Sequence, residues 1–212
     1  MSLSRVGLLG LGTVGSAVYD QIQTNLWERF EVARVSVRDR TKPRPPVIEA
    51  LLCDAEYLVQ ADDVDIVVEV MGGVQPALSL IKLALTQGKR VVTANKELIA
   101  KHYDDLMAFG GDLRFEAAVA GGIPIIQVLK TLAQTNRISS IQGILNGTTN
   151  YILTEMEARQ TELDPILQEA TEKGYAEADP SSDIDGFDAM YKIAILGAIA
   201  SGEQLDLETL PR

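Results

Sequence analysis

The sequence predicts an α/β protein with a doubly wound parallel sheet and a second, α+β domain. Two observations predict the sheet. Short apolar runs alternate with helix-like segments over the first half of the chain, and a glycine-rich turn, GLGTVG, follows the first run. A third observation predicts the second domain, because this alternation stops after LRFEAA and a glycine-rich bend follows. We therefore expect domains at residues 1–118 and 119–212.

The first domain is predicted to alternate strands and helices. RVGLLG (residues 5–10) is a short apolar run that enters glycines, which indicates a strand followed by a turn. RDRTKPRPP (residues 38–46) is charged and proline-rich, which indicates a loop. The other expected elements are strands at residues 30–37, 65–70 and 90–93 and helices at residues 16–29, 76–87 and 95–107. Alternation at this spacing predicts a parallel sheet that is covered on both faces.

The second domain opens with AGGIP (residues 120–124), a glycine-rich bend. ISSIQGIL (residues 138–145) predicts a strand. The helices expected after it lie at residues 148–158, 164–173 and 185–201.

The composition excludes several classes of partner and of site. The chain has 212 residues, 46% of them hydrophobic, and a formal net charge of −11, so we expect no nucleic acid and no anionic membrane surface as partner. The N-terminus lacks the features of a signal peptide and no stretch is long enough to span a membrane, so we expect a cytoplasmic protein. One cysteine, Cys53, excludes an internal disulfide, and one histidine, His102, leaves too few ligands for a Cys/His zinc site. Acid and base chemistry must therefore fall to Lys, Asp, Glu or Tyr.

Gly10, Gly12 and Gly15 form a G-x-G-x-x-G turn between the first strand and the first helix. A dinucleotide pyrophosphate binds at such a turn, against backbone N–H groups and the positive end of the helix. This context predicts a Rossmann-type domain for NAD or NADP. A merely tight turn is the alternative.

The end of the second strand bears on the choice between the two dinucleotides. NAD sites usually place an acidic residue there to hold the ribose 2′-hydroxyl, whereas VSVRDR places Arg38 there, with Arg40 and Lys42 close behind. A cation suits a 2′-phosphate, so NADP is favoured and NAD remains possible. The alternative is that these cations form a solvated loop, in which case Asp39 could still hold a ribose.

EADPSSDIDGFDAMYK (residues 177–192) carries several carboxylates up to an apolar helix and ends in one lysine. Lys192 shares its helix face with Ile195, Leu196 and Ile199, so its ammonium group lies where this helix should pack. Burial of a lysine is unfavourable unless carboxylates or a ligand meet it, and partial burial also favours proton exchange near neutrality. The alternative is an exposed i,i+4 pair with Asp188, which would stabilise the helix by about 0.3 kcal/mol.

Five motifs resemble the homoserine dehydrogenase family in chain order. They are the glycine turn, VVTANKELIA, EAAVAGGIPII, GILNGTTNYIL, and GYAEADP together with DIDGFDAMYK. The resemblance spans almost the whole chain and implies reversible NAD(P)-dependent interconversion of L-homoserine and L-aspartate 4-semialdehyde. It also implies a homodimer or a higher homo-oligomer, with the second domain serving catalysis and dimerisation.

The resemblance implies a role for each matching residue. Lys192 is the general acid and base, and Asp188 and Lys96 are its catalytic partners. Glu177, Asp183 and Asp188 bind the substrate, with the Glu177 carboxylate suited to the substrate ammonium group. The cofactor residues expected from the glycine turn, from the end of the second strand and from the resemblance together are Gly10, Gly12, Thr13, Val14, Gly15, Arg38, Thr93, Lys96, Gly174 and Glu177. Without the resemblance, Lys96 would be interpreted as a surface lysine and Gly174 as the glycine that ends a helix.

EAAVAGGIP resembles the monovalent cation site of the family. The resemblance implies that sodium is bound by the backbone carbonyl oxygens of Glu116, Val119, Gly121 and Ile123. Oxygen ligands suit a hard cation. A glycine-rich hinge between the domains is the plain alternative, and the two are compatible.

Family members normally continue past LETLPR, so the second domain is expected to be truncated at its C-terminus, and no regulatory domain is expected. Two alternatives to the dehydrogenase stay open: another short-substrate NAD(P) oxidoreductase, and a nucleotide-binding module without turnover. A semialdehyde-forming phosphorylating dehydrogenase is disfavoured because it needs a nucleophilic cysteine, and Cys53 lies away from the expected site.

Overall fold

The computed structural model describes residues 3–176 and 179–211. The chain forms two compact units, Met1–Ile123 and Pro124–Arg212. The division falls in the glycine-rich bend, shortly after the boundary predicted near Val119.

The first unit is built on a five-stranded sheet. The strands are β1 (Ser4–Leu9), β2 (Phe30–Ser36), β3 (Ile66–Glu69), β4 (Arg90–Thr93) and β5 (Leu113–Arg114). All neighbours are parallel, and the strand order is β2-β1-β3-β4-β5. The predicted α/β class and doubly wound parallel sheet are thus confirmed.

Helices connect these strands, because parallel neighbours require crossover connections. They are α1 (Thr13–Thr24), α2 (Pro46–Glu49), α3 (Ala55–Gln60), α4 (Ala77–Thr86), α5 (Lys96–Lys101) and α6 (Tyr103–Phe109), and a 3₁₀ turn at Glu116–Ala118 follows β5. One helix was predicted over residues 95–107. The structure has two helices there, because His102 takes a non-helical backbone conformation (φ −133°, ψ 29°).

The strands of this sheet are buried on both faces. Leu8 and Leu9 are both fully buried, although consecutive side chains of a strand point to opposite faces. Such two-sided burial is what a parallel sheet with helical crossovers requires, and it explains the apolar runs in the sequence.

The second unit contains five helices in its described part. They are α7 (Ile126–Ala133), α8 (Gly147–Arg159), α9 (Leu163–Glu172), α10 (Ser181–Ile184) and α11 (Phe187–Ser201). Ile152, Ile166 and Ala170 bring α8 and α9 together in one apolar cluster. The helix predicted at residues 185–201 begins later, at Phe187, because Gly186 is left-handed (φ 78°) and separates α10 from α11.

The strand predicted at residues 138–145 is wrong. The segment is irregular, and Ile144 within it is 77% exposed. A strand needs a hydrogen-bonded neighbour, and the described part of the second unit offers none. The described residues of this unit are therefore helical or irregular, and not the α+β mixture that was expected.

Within the described residues, no helix is both long enough and apolar enough to cross a membrane.

Candidate functional site

A cleft of about 380 Å³ lies in the first unit at the carboxyl ends of β1, β2 and β3. Its walls include Gly10 and Gly12 after β1, Arg38 after β2 and Gly72 after β3. The strand order reverses direction at β1, and ligands of open parallel sheets bind at such a switch point.

The three glycines of the turn do different things. Gly10 has φ 106°, and a Cβ there would lie 2.7 Å from the Val70 carbonyl oxygen. A Cβ at Gly15 would lie 2.2 Å from the Gly10 carbonyl oxygen, so this glycine lets α1 pack closely on the turn. A Cβ at Gly12 would meet no atom within 4 Å, so the space beside it is open to a ligand. This division of roles fits a dinucleotide pyrophosphate.

The start of α1 is exposed to this space. Thr13 and Val14 form its first turn and are solvent-exposed, and that turn contains no acidic residue. The partial positive charge of the helix N-terminus is therefore available to an anion.

Cations line one wall of the cleft. Arg38 and Lys42 belong to this wall, and the structure records no ion pair for either of them among the residues it describes. Arg40 differs, because its Nη2 pairs with Asp54 Oδ1 at 2.9 Å. Arg44, which the sequence reasoning did not single out, also lines the wall, and its Nη2 donates to the Asp39 carbonyl oxygen at 2.9 Å.

The Asp39 side chain is engaged within its own loop. Its Oδ1 accepts hydrogen bonds from the Thr41 hydroxyl at 2.6 Å and the Thr41 backbone N–H at 2.9 Å. These bonds hold the pKa of the Asp39 carboxyl below its usual value.

A buried polar network lies at the ends of β3 and β4. Glu69 and Thr93 are both fully buried, and the Thr93 hydroxyl donates to Glu69 Oε2 at 2.5 Å. Glu69 Oε1 accepts from the Met71 N–H at 2.8 Å, and the Asn95 N–H donates to the Thr93 hydroxyl at 3.0 Å. The Thr93 side chain is thus enclosed in this network and does not line the cleft.

Asn95 starts the helix that carries Lys96. Its Oδ1 accepts from the Leu98 N–H at 3.1 Å, which caps α5, and its Nδ2 donates to the Gly73 carbonyl oxygen at 2.6 Å. Lys96 is the first residue of α5 and is half-buried. Neither Glu69 nor Asn95 was predicted to belong to the site. The asparagine before a helix was a usable capping signal, whereas a buried glutamate has no local signature.

A second cleft, of about 560 Å³, lies within the second unit. Three predicted substrate or catalytic residues line it together: Asp183, Asp188 and Lys192. The other residues that line it are Asn146, Gly147, Thr148, Tyr151, Gly174 and Tyr175. Its size falls within the range of small-molecule sites.

Lys192 forms a partly buried ion pair in this cleft. Its Nζ donates to Asp188 Oδ2 at 2.6 Å and to the Leu145 carbonyl oxygen at 2.8 Å. The two side chains are 19% and 6% exposed, so the alternative of an exposed surface pair does not hold. The ammonium group lies at the cleft wall with a carboxylate partner, an arrangement suited to proton exchange with a bound ligand.

Asn146 joins the two aspartates of this cleft. Its Nδ2 donates to Asp183 Oδ1 at 2.7 Å and to Asp188 Oδ2 at 2.8 Å. It is also the N-cap of α8, where its Oδ1 accepts from the Thr149 N–H at 2.7 Å. Asn146 lies within the GILNGTTNYIL motif, but no role was predicted for it.

Gly174 ends α9 and also lines the cleft. It has φ 76°, its N–H donates to the Thr171 carbonyl oxygen at 3.0 Å, and the Tyr175 N–H donates to the Ala170 carbonyl oxygen at 2.8 Å. This is the Schellman arrangement of a helix C-terminus. The capping role is thereby confirmed, and contact with a cofactor stays a prediction. Glu177 lies outside the described residues.

A charged cluster supports the aromatic wall of the cleft. Tyr151 and Tyr175 lie with their ring centroids 4.8 Å apart, and the Tyr151 hydroxyl donates to Glu169 at 3.1 Å. Arg159 and Lys173 also donate to Glu169. These donors, Arg159 first, lower the pKa of the Glu169 carboxyl to about 2.

The predicted sodium segment is a sharp bend. Ala120 and Gly121 both have left-handed backbones, with φ 59° and 57°, and the Ile123 N–H donates to the Ala120 carbonyl oxygen at 3.0 Å. The Val119 N–H reaches the Glu116 carbonyl oxygen at 3.4 Å. The described residues contain no cluster of three or more His, Cys, Asp or Glu side chains that could hold a metal ion.

Comparison with known proteins assigns both units. A family model described as homoserine dehydrogenase, NAD binding domain, matches residues 10–110, and a model described as homoserine dehydrogenase matches residues 124–212. A homoserine dehydrogenase of Synechocystis sp. is 48% identical over an alignment that covers 96% of this chain and 50% of that protein. The chain spans about half the length of the curated relatives it matches.

Solved structures give the same assignment. A homoserine dehydrogenase from Thiobacillus denitrificans superposes with a TM-score of 0.85 at 42% identity, covering 98% of this chain and 51% of that one. A hyperthermophilic archaeal homoserine dehydrogenase in complex with NADPH superposes with a TM-score of 0.81 at 30% identity, covering 99% of this chain and 75% of that one. Because two models of one family match the two units in order and the folds agree over nearly the whole chain, the chain belongs to the homoserine dehydrogenase family.

Proposed function

We propose that the protein catalyses the reversible NAD(P)-dependent interconversion of L-homoserine and L-aspartate 4-semialdehyde. The observation that carries this proposal is the partly buried Lys192–Asp188 pair in the wall of a ligand-sized cleft, in a chain of the homoserine dehydrogenase family. The amino-acid biosynthetic role and a cytoplasmic location follow from the same proposal. The homo-oligomer stays a prediction.

The proposed reaction consists of a hydride transfer and a proton transfer. A bound nicotinamide supplies or accepts the hydride at the carbon that is aldehyde in one substrate and alcohol in the other. Lys192 donates a proton from Nζ to the aldehyde oxygen during reduction and takes the hydroxyl proton during oxidation. Asp188 holds the Lys192 ammonium in place through the 2.6 Å contact. Lys96 and Asp183 are assigned to substrate contacts, with Lys96 also at the cofactor, and Glu177 is assigned to the substrate ammonium group.

We assign the cofactor to the cleft of the first unit. Gly12 leaves room for the pyrophosphate, and the first turn of α1 directs its N–H groups to that space. NADP is the favoured form, because Arg38 and Lys42 line the wall beyond β2, where a 2′-phosphate would lie. The Asp39 carboxylate is less suited to a ribose, because Thr41 already occupies one of its oxygens.

Sodium is the proposed monovalent cation, held by the carbonyl oxygens of Glu116, Val119, Gly121 and Ile123. The support is the sharp bend of this segment together with the family resemblance. If the assignment is right, replacing sodium chloride by tetramethylammonium chloride at constant ionic strength lowers the melting temperature. An unchanged melting temperature contradicts it.

The proposed function is tested by absorbance at the reduced-nicotinamide band. Purified protein is mixed with L-homoserine and NADP or NAD, and the assay is repeated on a chain extended to the length of the relatives. Reduction of the nucleotide that requires L-homoserine supports the proposal in whichever chain shows it. Nucleotide binding without turnover in both chains contradicts it and favours a binding module. Turnover of other hydroxy acids but not of L-homoserine also contradicts it.

A further inference from the structure

One amide side chain in the second unit holds two carboxylates side by side. Asn146 Nδ2 lies 2.7 Å from Asp183 Oδ1 and 2.8 Å from Asp188 Oδ2. The two aspartates stand on different helices, α10 and α11, and lie 37 and 42 residues from Asn146 in sequence. Asn146 is 7% exposed and Asp188 is 4% exposed.

The orientation of this amide is fixed by its other end. Asn146 Oδ1 accepts the Thr149 backbone N–H at 2.7 Å, and a backbone N–H can only donate. The Thr149 hydroxyl reaches the same oxygen at 2.9 Å. The Nδ2 group must therefore face the carboxylates, and its two hydrogens satisfy one carboxylate each.

This arrangement extends to the lysine assigned to proton transfer. Asp188 Oδ2 accepts from Asn146 Nδ2 at 2.8 Å and from Lys192 Nζ at 2.6 Å, so one oxygen atom is shared by both donors. Lys192 Nζ also donates to the carbonyl oxygen of Leu145, the residue that precedes Asn146. Residues 145 and 146 thus contact both members of the ion pair.

Neutral donors suit this position. Two carboxylates that meet at one point repel each other, and the single ammonium group of Lys192 neutralises only one of them. The amide adds two donors without adding charge, so it holds Asp183 and Asp188 together and leaves Lys192 the only cation among these four side chains.

We propose that Asn146 is a positioning residue of the proposed reaction, which sets the Asp183 and Asp188 carboxylates and, through Asp188, the Lys192 ammonium group. This proposal rests on the proposed function for its catalytic meaning. In structural terms, it states that the Nδ2 hydrogen bonds of Asn146 determine where Asp188 and Lys192 lie, in addition to the role of its Oδ1 as the cap of α8.

Two substitutions separate the amide from the cap. Asn146→Asp keeps the shape of the side chain and is as good an N-cap as asparagine, but it replaces the bridging donor by a third carboxylate. Asn146→Ser also keeps a capping oxygen, but it is too short to bridge the aspartates. Asn150→Asp makes the same chemical change at an exposed position of α8 and serves as the matched control.

Steady-state kinetics with L-homoserine and NADP, cofactor binding and thermal melting are measured on each variant, in whichever chain length the wild type turns over. We expect kcat to fall about 100-fold in both Asn146 variants, as for a misplaced catalytic group. Cofactor affinity should stay close to the wild type. Both Asn146 variants should stay folded but melt at a lower temperature, because the two carboxylates lose the donor that they share. Asn150→Asp should behave as the wild type. Near-wild-type kcat in Asn146→Asp and Asn146→Ser overturns the proposal. Unfolding of both variants also overturns it, because the residue would then serve stability alone.

A crystal structure of the Asn146→Ser variant gives a readout that does not need turnover. We expect the Asp183 and Asp188 carboxylates to separate and the Lys192 Nζ to leave its wild-type position. Unchanged positions of all three groups contradict the proposal. If the wild type shows no turnover, the proposed function fails, and crystal structures of the wild type and of Asn146→Ser still decide the role of Asn146.

Discussion

Asn95 in the first unit and Asn146 in the second perform the same local task and different long-range ones. Each is an N-cap whose side-chain oxygen accepts a backbone N–H three residues later. The Asn95 amide then donates to a backbone carbonyl, Gly73 O, beside the buried Glu69 network. The Asn146 amide donates to two carboxylates in a cleft.

This difference shows which contacts of an asparagine the local sequence can predict and which it cannot. An asparagine before a helix indicates a cap in both places, because capping depends on neighbours three residues away. The second partner lies 22 residues away for Asn95 and 37 or 42 residues away for Asn146. The Asn95 amide therefore links two loops at the end of the sheet. The Asn146 amide instead positions charged side chains at a candidate site.

The largest expected effect is at Lys192, the charged group that Asn146 helps to place. Lys192→Ala should lower kcat by about 100-fold or more, because proton transfer is lost, and leave cofactor affinity intact. Lys192→Arg is the matched variant: it keeps the positive charge beside Asp188, but a guanidinium does not release its proton near neutrality, so turnover should also be lost. Steady-state kinetics and nucleotide titrations measure both quantities. Turnover near the wild-type rate in either variant contradicts the proton-transfer role.

Asn95→Asp tests the other side of the comparison. The change keeps the cap of α5, removes the donor to Gly73 O and adds a charge near buried Glu69, so it should lower the free energy of unfolding by about 1–3 kcal/mol. Asn25→Asp, the same change at an exposed position of the first unit, should stay within about 0.5 kcal/mol. Urea denaturation measures both. Equal stability of the two variants would show that the hydrogen bond from Asn95 Nδ2 to Gly73 O contributes nothing to the free energy of unfolding.

The glycine turn separates ligand contact from packing within the first unit. Gly12→Ala adds a methyl group that meets no protein atom, so stability should be unchanged while NADP affinity falls about tenfold, or about 1.4 kcal/mol. Gly15→Ala places its Cβ against the Gly10 carbonyl and should destabilise the fold by about 1–3 kcal/mol. Calorimetric titration and thermal melting distinguish the two outcomes. If Gly12→Ala binds NADP as tightly as the wild type, the pyrophosphate does not bind at this turn.

The smallest expected effect concerns the choice of nucleotide. Arg38→Ser should raise the Kd for NADP by about fivefold to tenfold and leave the Kd for NAD unchanged, because only NADP carries the 2′-phosphate. Arg40→Ser is the control, since Arg40 pairs with Asp54 and should affect neither nucleotide. Equal losses for both nucleotides in Arg38→Ser would assign Arg38 to a feature that they share.

The sheet was predictable from the sequence because its strands are buried on both faces. RVVT was predicted at residues 90–93 and is β4. DIVVEV was predicted at residues 65–70 and contains β3 with one extra residue at each end. ISSIQGIL has a similar apolar pattern but forms no strand, because pairing depends on a neighbour that the local sequence does not contain. The local apolar pattern was sufficient to predict a strand only where the fold supplies a neighbouring strand to pair with it.

The candidate site was predictable in part. Asp183, Asp188 and Lys192 were predicted together and line one cleft, since two of them share a helix face and the third lies nearby in sequence. Thr93 was predicted at the cofactor, but its side chain is enclosed with Glu69. Asn146 and Glu69 received no role, because their partners come from distant parts of the chain and no spacing rule reports them.

A crystal structure of the protein with NADP and L-homoserine bound tests the central assignment most directly. We predict the pyrophosphate beside Gly12, the 2′-phosphate against Arg38, and the homoserine hydroxyl within hydrogen-bond distance of Lys192 Nζ, with Asn146 still bridging Asp183 and Asp188. A substrate whose hydroxyl contacts neither Lys192 nor a group held by it would contradict the account.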